Sequence, residues 1–199
     1  MKPIAKIAFW AAILGPIQSV LGWVICGALT PGYNPVMQTI SELASPEAPT
    51  HLLQSGFFLL GGTLTIIGGV WARTLAMPGR ISLLLSGLCT YGLTFFPTPI
   101  IGYSTMHRVF AISSFVLSAG WVLGAMRSRK DAPAIIRPVA AIAQTVFQTV
   151  IAVIFLQVWA DQNATDVGAW ERVVATAQSL QAAVVIAVIY LGQRNESSR

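Results

Sequence analysis

Six long apolar stretches limit what this chain can fold into. They run over roughly 7–29, 52–75, 81–96, 106–126, 138–160 and 172–191. A helix needs about 20 mostly apolar residues to cross a hydrocarbon core about 30 Å thick, and these stretches have that length. The third is short and stops at Pro97-Thr98-Pro99, which cannot continue a regular helix. None alternates strictly, so helices fit and a barrel does not. Composition agrees. Hydrophobic residues make up 55% of the 199 residues and charged ones 10%. A soluble domain carries about 25% charged residues, and a disordered chain is poor in apolar ones. The expectation is an all-α integral membrane protein, with one six-helix transmembrane bundle over 1–199. The first stretch is too long for a signal-peptide core and no small-x-small cleavage site follows, so it reads as an uncleaved helix.

Basic residues set the orientation, because cytoplasmic loops collect Lys and Arg. With the N-terminus inside, the inner segments hold Lys2, Lys6, Arg73, Arg80, Arg127, Arg129, Lys130, Arg137, Arg194 and Arg199. Only Arg108 and Arg172 fall outside, whereas five of the seven acids do: Glu42, Glu47, Asp161, Asp166 and Glu171. Both termini are therefore expected in the cytoplasm, with the protein in the plasma (inner) membrane. The net charge of +5 follows from this asymmetry. It calls for no nucleic acid, and the 127–130 cluster suits anionic headgroups.

Between the spans' ends the polar groups are amides and hydroxyls. Gln18 lies midway along the first span, Gln144 and Gln148 share a face of the fifth, and Gln178 and Gln181 lie in the sixth. A primary amide in hydrocarbon must find partners, so these face inward, either as bonds between helices or as a ligand-binding patch. Small residues mark close contacts: Gly120-x-x-x-Gly124 in the fourth span, Ser82, Ser86 and Thr90 in the third, and several glycines in the second. They suit a tight group of spans two to four and leave open contact with a second copy. No Asp, Glu, Lys, Arg or His falls at a span centre, which argues against proton- or ion-driven transport.

Chemistry-bearing residues collect at the outer face. Thr39-x-x-Glu42 matches a capping box, so a short interfacial helix is expected in the first outer loop, either flat on the membrane or plugging the bundle mouth. Ser45-Pro46 is a second candidate helix start. Glu42 is then a cap partner or a functional acid. His107 and Arg108 open the fourth span and His51 the second, with Tyr33, Ser41 and Tyr103 at the same level. Three readings stand. Glu42 and His107 form an acid–base pair; His51, His107 and Glu42 ligate a metal; or the group anchors loops and contacts headgroups. The last takes the largest share. Cys26 and Cys89 lack a Cys-x-x-Cys spacing and read as small apolar residues.

The segment Gln38-Thr39-Ile40-Ser41-Glu42-Leu43 after Tyr33-Asn34-Pro35, with Phe96-Pro97 ahead of His107 at a helix start, resembles the bacterial membrane proteins grouped as domain of unknown function 998. The resemblance covers span number and loop order over most of the chain. It implies a six-helix bundle, a distant likeness to the eukaryotic DRAM-like proteins tied to lipid organisation and stress, and no established reaction. Ser41, Glu42 and His107 match the family pattern. Members often carry an acid soon after the Phe-Pro pair, whereas Thr98-Pro99 stands here.

These readings converge on an outer site that binds or processes a lipid or other lipophilic molecule. Glu42 and His107 are its candidate catalytic residues, acting without a metal or other cofactor. The candidate ligand-binding residues are Tyr33, Ser41, His51, Tyr103, Arg108, Gln18, Gln148 and Gln178. An accessory role through another membrane protein is the alternative, and a permease the third option.

Overall fold

The computed structural model describes residues 3–161 and 163–197. Six α-helices make up the fold: α1 (Lys6–Leu29), α2 (His51–Trp71), α3 (Met77–Phe95), α4 (Thr105–Ala125), α5 (Pro138–Ala160) and α6 (Val167–Ser197). No strand forms among the described residues; one isolated bridge pairs Ile4 with Ala72. Five helices are long and apolar enough to cross a membrane, and α3 is the exception. Their outward faces are apolar. On α1, Ile7, Trp10, Leu14, Ile17 and Leu21 recur every three or four residues and all are exposed, while Ala8, Ala11, Ala12, Gly22 and Cys26 are buried. Large apolar groups outside and small ones inside suit a bundle whose solvent is lipid, where packing rather than burial of oil-like surface holds helices together.

Helix α3 packs between α2 and α4, α1 packs on α2 and α6, and α5 spans α4 and α6. Small residues permit the closest approaches. A Cβ on Gly79 would come within 2.5 Å of Ala125 and Trp121 backbone, and one on Gly124 within 2.9 Å of the Gly79 nitrogen. Gly120 has no neighbour within 4 Å of its Cβ direction. The Gly120-x-x-x-Gly124 face is thus half used, by Gly124, in contact within the chain.

At one end, a dry cluster including Leu75, Trp121, Ile136, Ile186 and Ile189 closes the bundle. Arginines tie this end together. Arg80 donates to the Gly69 and Val70 carbonyls (2.8 and 2.6 Å), and Arg127 to those of Thr74 and Leu75 (2.8 and 3.3 Å). Arg80 thus satisfies carbonyls that the end of α2 leaves without helical partners, and Arg127 satisfies two in the α2–α3 loop. Arg129 and Asp131 pair nearby at 3.0 Å, which holds the Asp131 carboxyl below its usual range.

Apolar runs mark the helices well, and the departures have physical causes. Helix α2 stops at Trp71, short of 75, because Ala72 turns to meet Ile4. Helix α3 starts at Met77 rather than 81, with Pro78 in its first turn and Arg80 folded back onto α2. Helix α6 starts at Val167 rather than 172, so Glu171 is helical and not a loop residue. The short helix of the first loop is a single 3₁₀ turn, Ser41–Ala44, with Ser41, Leu43 and Ala44 buried. It plugs the bundle mouth rather than lying flat. Ser45-Pro46 starts no helix; the Ser45 hydroxyl donates to the Glu47 carboxylate and lowers its pKa.

Candidate functional site

The site lies at the end opposite the arginine-tied one, where the α1–α2 loop folds over α6 and the α3–α4 loop lines the same cavity. Arg172 holds the first loop down. Its guanidinium is nearly buried and donates to the carbonyls of Pro35 (2.7 Å), Gln38 (3.0 Å) and Gly168 (2.8 Å), and to the Tyr33 hydroxyl. Trp23 and Tyr33 rings lie 5.1 and 5.5 Å from its Cζ. Tyr33 in turn donates to the Thr39 carbonyl (2.8 Å). Burial pushes its phenol up to about 12, with the hydrogen bond from Arg172 opposing. A Cβ at Gly168 would stand 2.0 Å from the Gln38 carbonyl oxygen, so glycine there lets the loop lie directly on α6. Tyr33 is therefore a loop anchor and lines neither cavity described below.

The seated loop presents Ser41 and Glu42. Glu42 closes the capping box: its Oε1 accepts from the Thr39 N–H (2.9 Å) and hydroxyl (3.0 Å), and its own N–H donates to Thr39 Oγ1 (3.2 Å). Its Oε2 accepts from Gln38 Nε2 (3.0 Å). Glu171 accepts from the Ile40 N–H and from the Ser41 hydroxyl (3.1 Å). This links α6 to the plug across 130 residues of sequence.

His107 opens α4, where Ser104 caps the helix by accepting from the His107 N–H (3.3 Å). The ring is buried and Nδ1 donates to the Phe96 carbonyl (3.0 Å). A carbonyl only accepts, so the proton of the neutral ring sits on Nδ1 and Nε2 is left as an acceptor. Arg108 points outward, its Cζ 4.4 Å from the Tyr103 ring and 5.3 Å from the Trp159 ring. His51 donates from Nδ1 to the Ala44 carbonyl (2.6 Å) and anchors the plug. It lines neither cavity described below, and among the described residues no three His, Cys, Asp or Glu side chains come together as a metal site.

Two cavities open from this arrangement. The vestibule, about 120 Å³, is lined by Ser41, Glu42, Tyr103, His107 and Arg108, with Glu171 at its inner wall. The inner chamber, about 190 Å³, lies between α1, α2, α3, α4 and α6. Ser41, Ala111, Phe115 and Glu171 line both, so the two share a wall. Gln18, Gln54 and Gln178 face the chamber beside a hydroxyl ladder of Ser86, Thr90, Ser114 and Ser118. Ser86 Oγ lies 2.7 Å from Ser118 Oγ, and Thr90 Oγ1 lies 3.3 Å from Ser114 Oγ. Trp121 and Leu83 belong both to the chamber wall and to the apolar cluster, so that cluster backs the chamber on one side.

The structure thus brings Ser41, Glu42, Tyr103, His107 and Arg108 to one cavity and Gln18 and Gln178 to the next. Gln178 also donates to the Phe115 carbonyl (2.9 Å). Gln148 stands apart; it donates to the Ala177 carbonyl (2.9 Å) and joins α5 to α6. Two lining residues escape a reading by apolar runs: Glu171, assigned there to a loop, and Gln54. Helical spacing reveals both. Glu171, Ala175, Gln178 and Ala182 recur on one face of α6, and Gln54, Phe58, Gly61 and Thr65 on one face of α2, and all line the chamber.

A bundle of apolar-faced spanning helices around polar cavities defines a multi-pass membrane protein. The chain belongs to the family described as "Protein of unknown function (DUF998)", whose model matches residues 13–188. No curated protein and no solved structure matches it.

Proposed function

We propose that this protein binds an amphiphilic molecule of the outer leaflet, with its polar head in the vestibule and the chamber behind it. All six helices cross the membrane in this reading, with both termini in the cytoplasm and the protein in the plasma (inner) membrane. The arginine-tied end is then cytoplasmic, as its basic residues favour, and the vestibule faces outward. The observation that carries the reading is the shared wall. Glu42 and His107 line one cavity, and Ser41 and Glu171 stand in the wall it shares with a second chamber that carries amides and hydroxyls. His107 Nε2 is the acceptor available to a head group, while Glu42 holds the loop that presents it. An enzymatic version uses His107 as the base toward a hydroxyl in the vestibule.

Lipid extraction from purified protein with mass spectrometry tests the reading. One lipid class enriched over the bulk membrane is expected, and His107→Ala is expected to lose that enrichment. Wild-type protein carrying only the bulk composition contradicts it.

A further inference from the structure

We propose that the inner chamber selects a hydroxyl-bearing, phosphate-free head group, such as the sugar of a glycolipid or the free hydroxyl of a diacylglycerol. The inference rests on the amphiphile reading above and names its ligand class. The first support is unsatisfied polarity. Gln54 is 2% exposed, lines the chamber, and its Oε1 has no hydrogen-bond partner. Gln18 Oε1, on the neighbouring helix and lining the same chamber, has none either. A buried polar atom left unpaired costs about 1–3 kcal/mol, so a ligand that donates to these two chamber-lining oxygens recovers that cost.

The type of partner follows from the wall. The ladder hydroxyls and the amides both donate and accept, and a ligand hydroxyl does the same, so it matches them in any rotamer. Among the described residues no Lys, Arg or His lines the chamber, and Glu171 is its one ionisable side chain. A phosphate entering there would meet a carboxyl group and no cation, at the full cost of an unpaired buried charge. Size agrees. At about 190 Å³ the chamber is smaller than the roughly 300–1,000 Å³ of drug-sized pockets, so it takes a head and leaves the tails in lipid. Phe57, Phe58 and Trp121 offer apolar faces to the carbon side of such a head.

Binding to protein in phosphatidylcholine nanodiscs, read by native mass spectrometry and by tryptophan fluorescence, tests this. The probes are monoglucosyl diacylglycerol, diacylglycerol and phosphatidic acid with matched chains. The expected result is binding of one or both of the first two, about tenfold or more tighter than phosphatidic acid. Monoglucosyl diacylglycerol alone assigns the sugar, and diacylglycerol alone the glycerol hydroxyl. Gln54→Leu and, separately, Gln18→Leu are expected to weaken binding about tenfold, as loss of one good hydrogen bond does. Neither should lower the melting temperature of the unliganded protein, since each removes an unpaired group. Phosphatidic acid binding as tightly as the others overturns the proposal. So does binding that depends on His107 and not on Gln54 or Gln18, although the amphiphile reading then stands. If no probe binds, the proposal falls, and the lipid extraction above decides the amphiphile reading separately.

Discussion

At the scale of the residue, the site depends on buried side chains that hold loops by bonding to backbone. Tyr33 shows how such a group responds to pH. Burial raises its phenol from an ordinary value of 10.0 to about 12. The folded state therefore holds the proton more tightly than the unfolded one. The associated stability is present below pH 10 and is lost as pH rises through about 12. Thermal unfolding across this window is expected to show a steeper alkaline loss in wild type than in Tyr33→Phe. At neutral pH Tyr33→Phe is expected to melt lower, by about 1–3 kcal/mol, because the Thr39 carbonyl and an Arg172 N–H lose a partner. Equal slopes in the two proteins count against this placement of the phenol.

At the scale of the element, close helix contacts are specific to particular glycines. Gly79→Ala forces a Cβ against the α4 backbone and is expected to cost about 1–3 kcal/mol or more. Gly120→Ala meets nothing within 4 Å and is expected to leave stability unchanged or raise it. Unfolding in detergent distinguishes the two, and equal losses contradict the α3–α4 crossing. The six helices themselves are legible in the apolar runs, and the plug in Thr39-x-x-Glu42. The start of α6 is not, because Glu171 and Arg172 look like loop residues until their partners are known. Those partners, Ile40, Ser41, Pro35 and Gln38, lie 130 to 137 residues away and come together only in the folded bundle. Of the site, Ser41, Glu42 and His107 are readable from motif and loop position. Gln54 is hidden because a glutamine near a helix start looks like a surface residue; only the 3.6-residue period places it on the cavity face.

At the scale of the whole molecule, the two ends differ in kind. One is closed by a dry cluster and carries most of the basic residues; the other holds the cavities beneath its loops. In a background without Cys26 and Cys89, Asn163→Cys is expected to react with an impermeant maleimide added outside intact cells. Ser128→Cys is expected to react only after permeabilisation. The reverse pattern inverts the topology and turns the vestibule toward the cytoplasm. The central claim is that a particular lipid occupies the joined cavities, and Phe115 lines both. The most direct test puts a photo-crosslinking amino acid at Phe115 and, as a lipid-facing control, at exposed Leu21, with the adducts identified by mass spectrometry. The account predicts one lipid class at position 115 that differs from the bulk mixture captured at 21. The same mixture at both positions, or no lipid at 115, contradicts it.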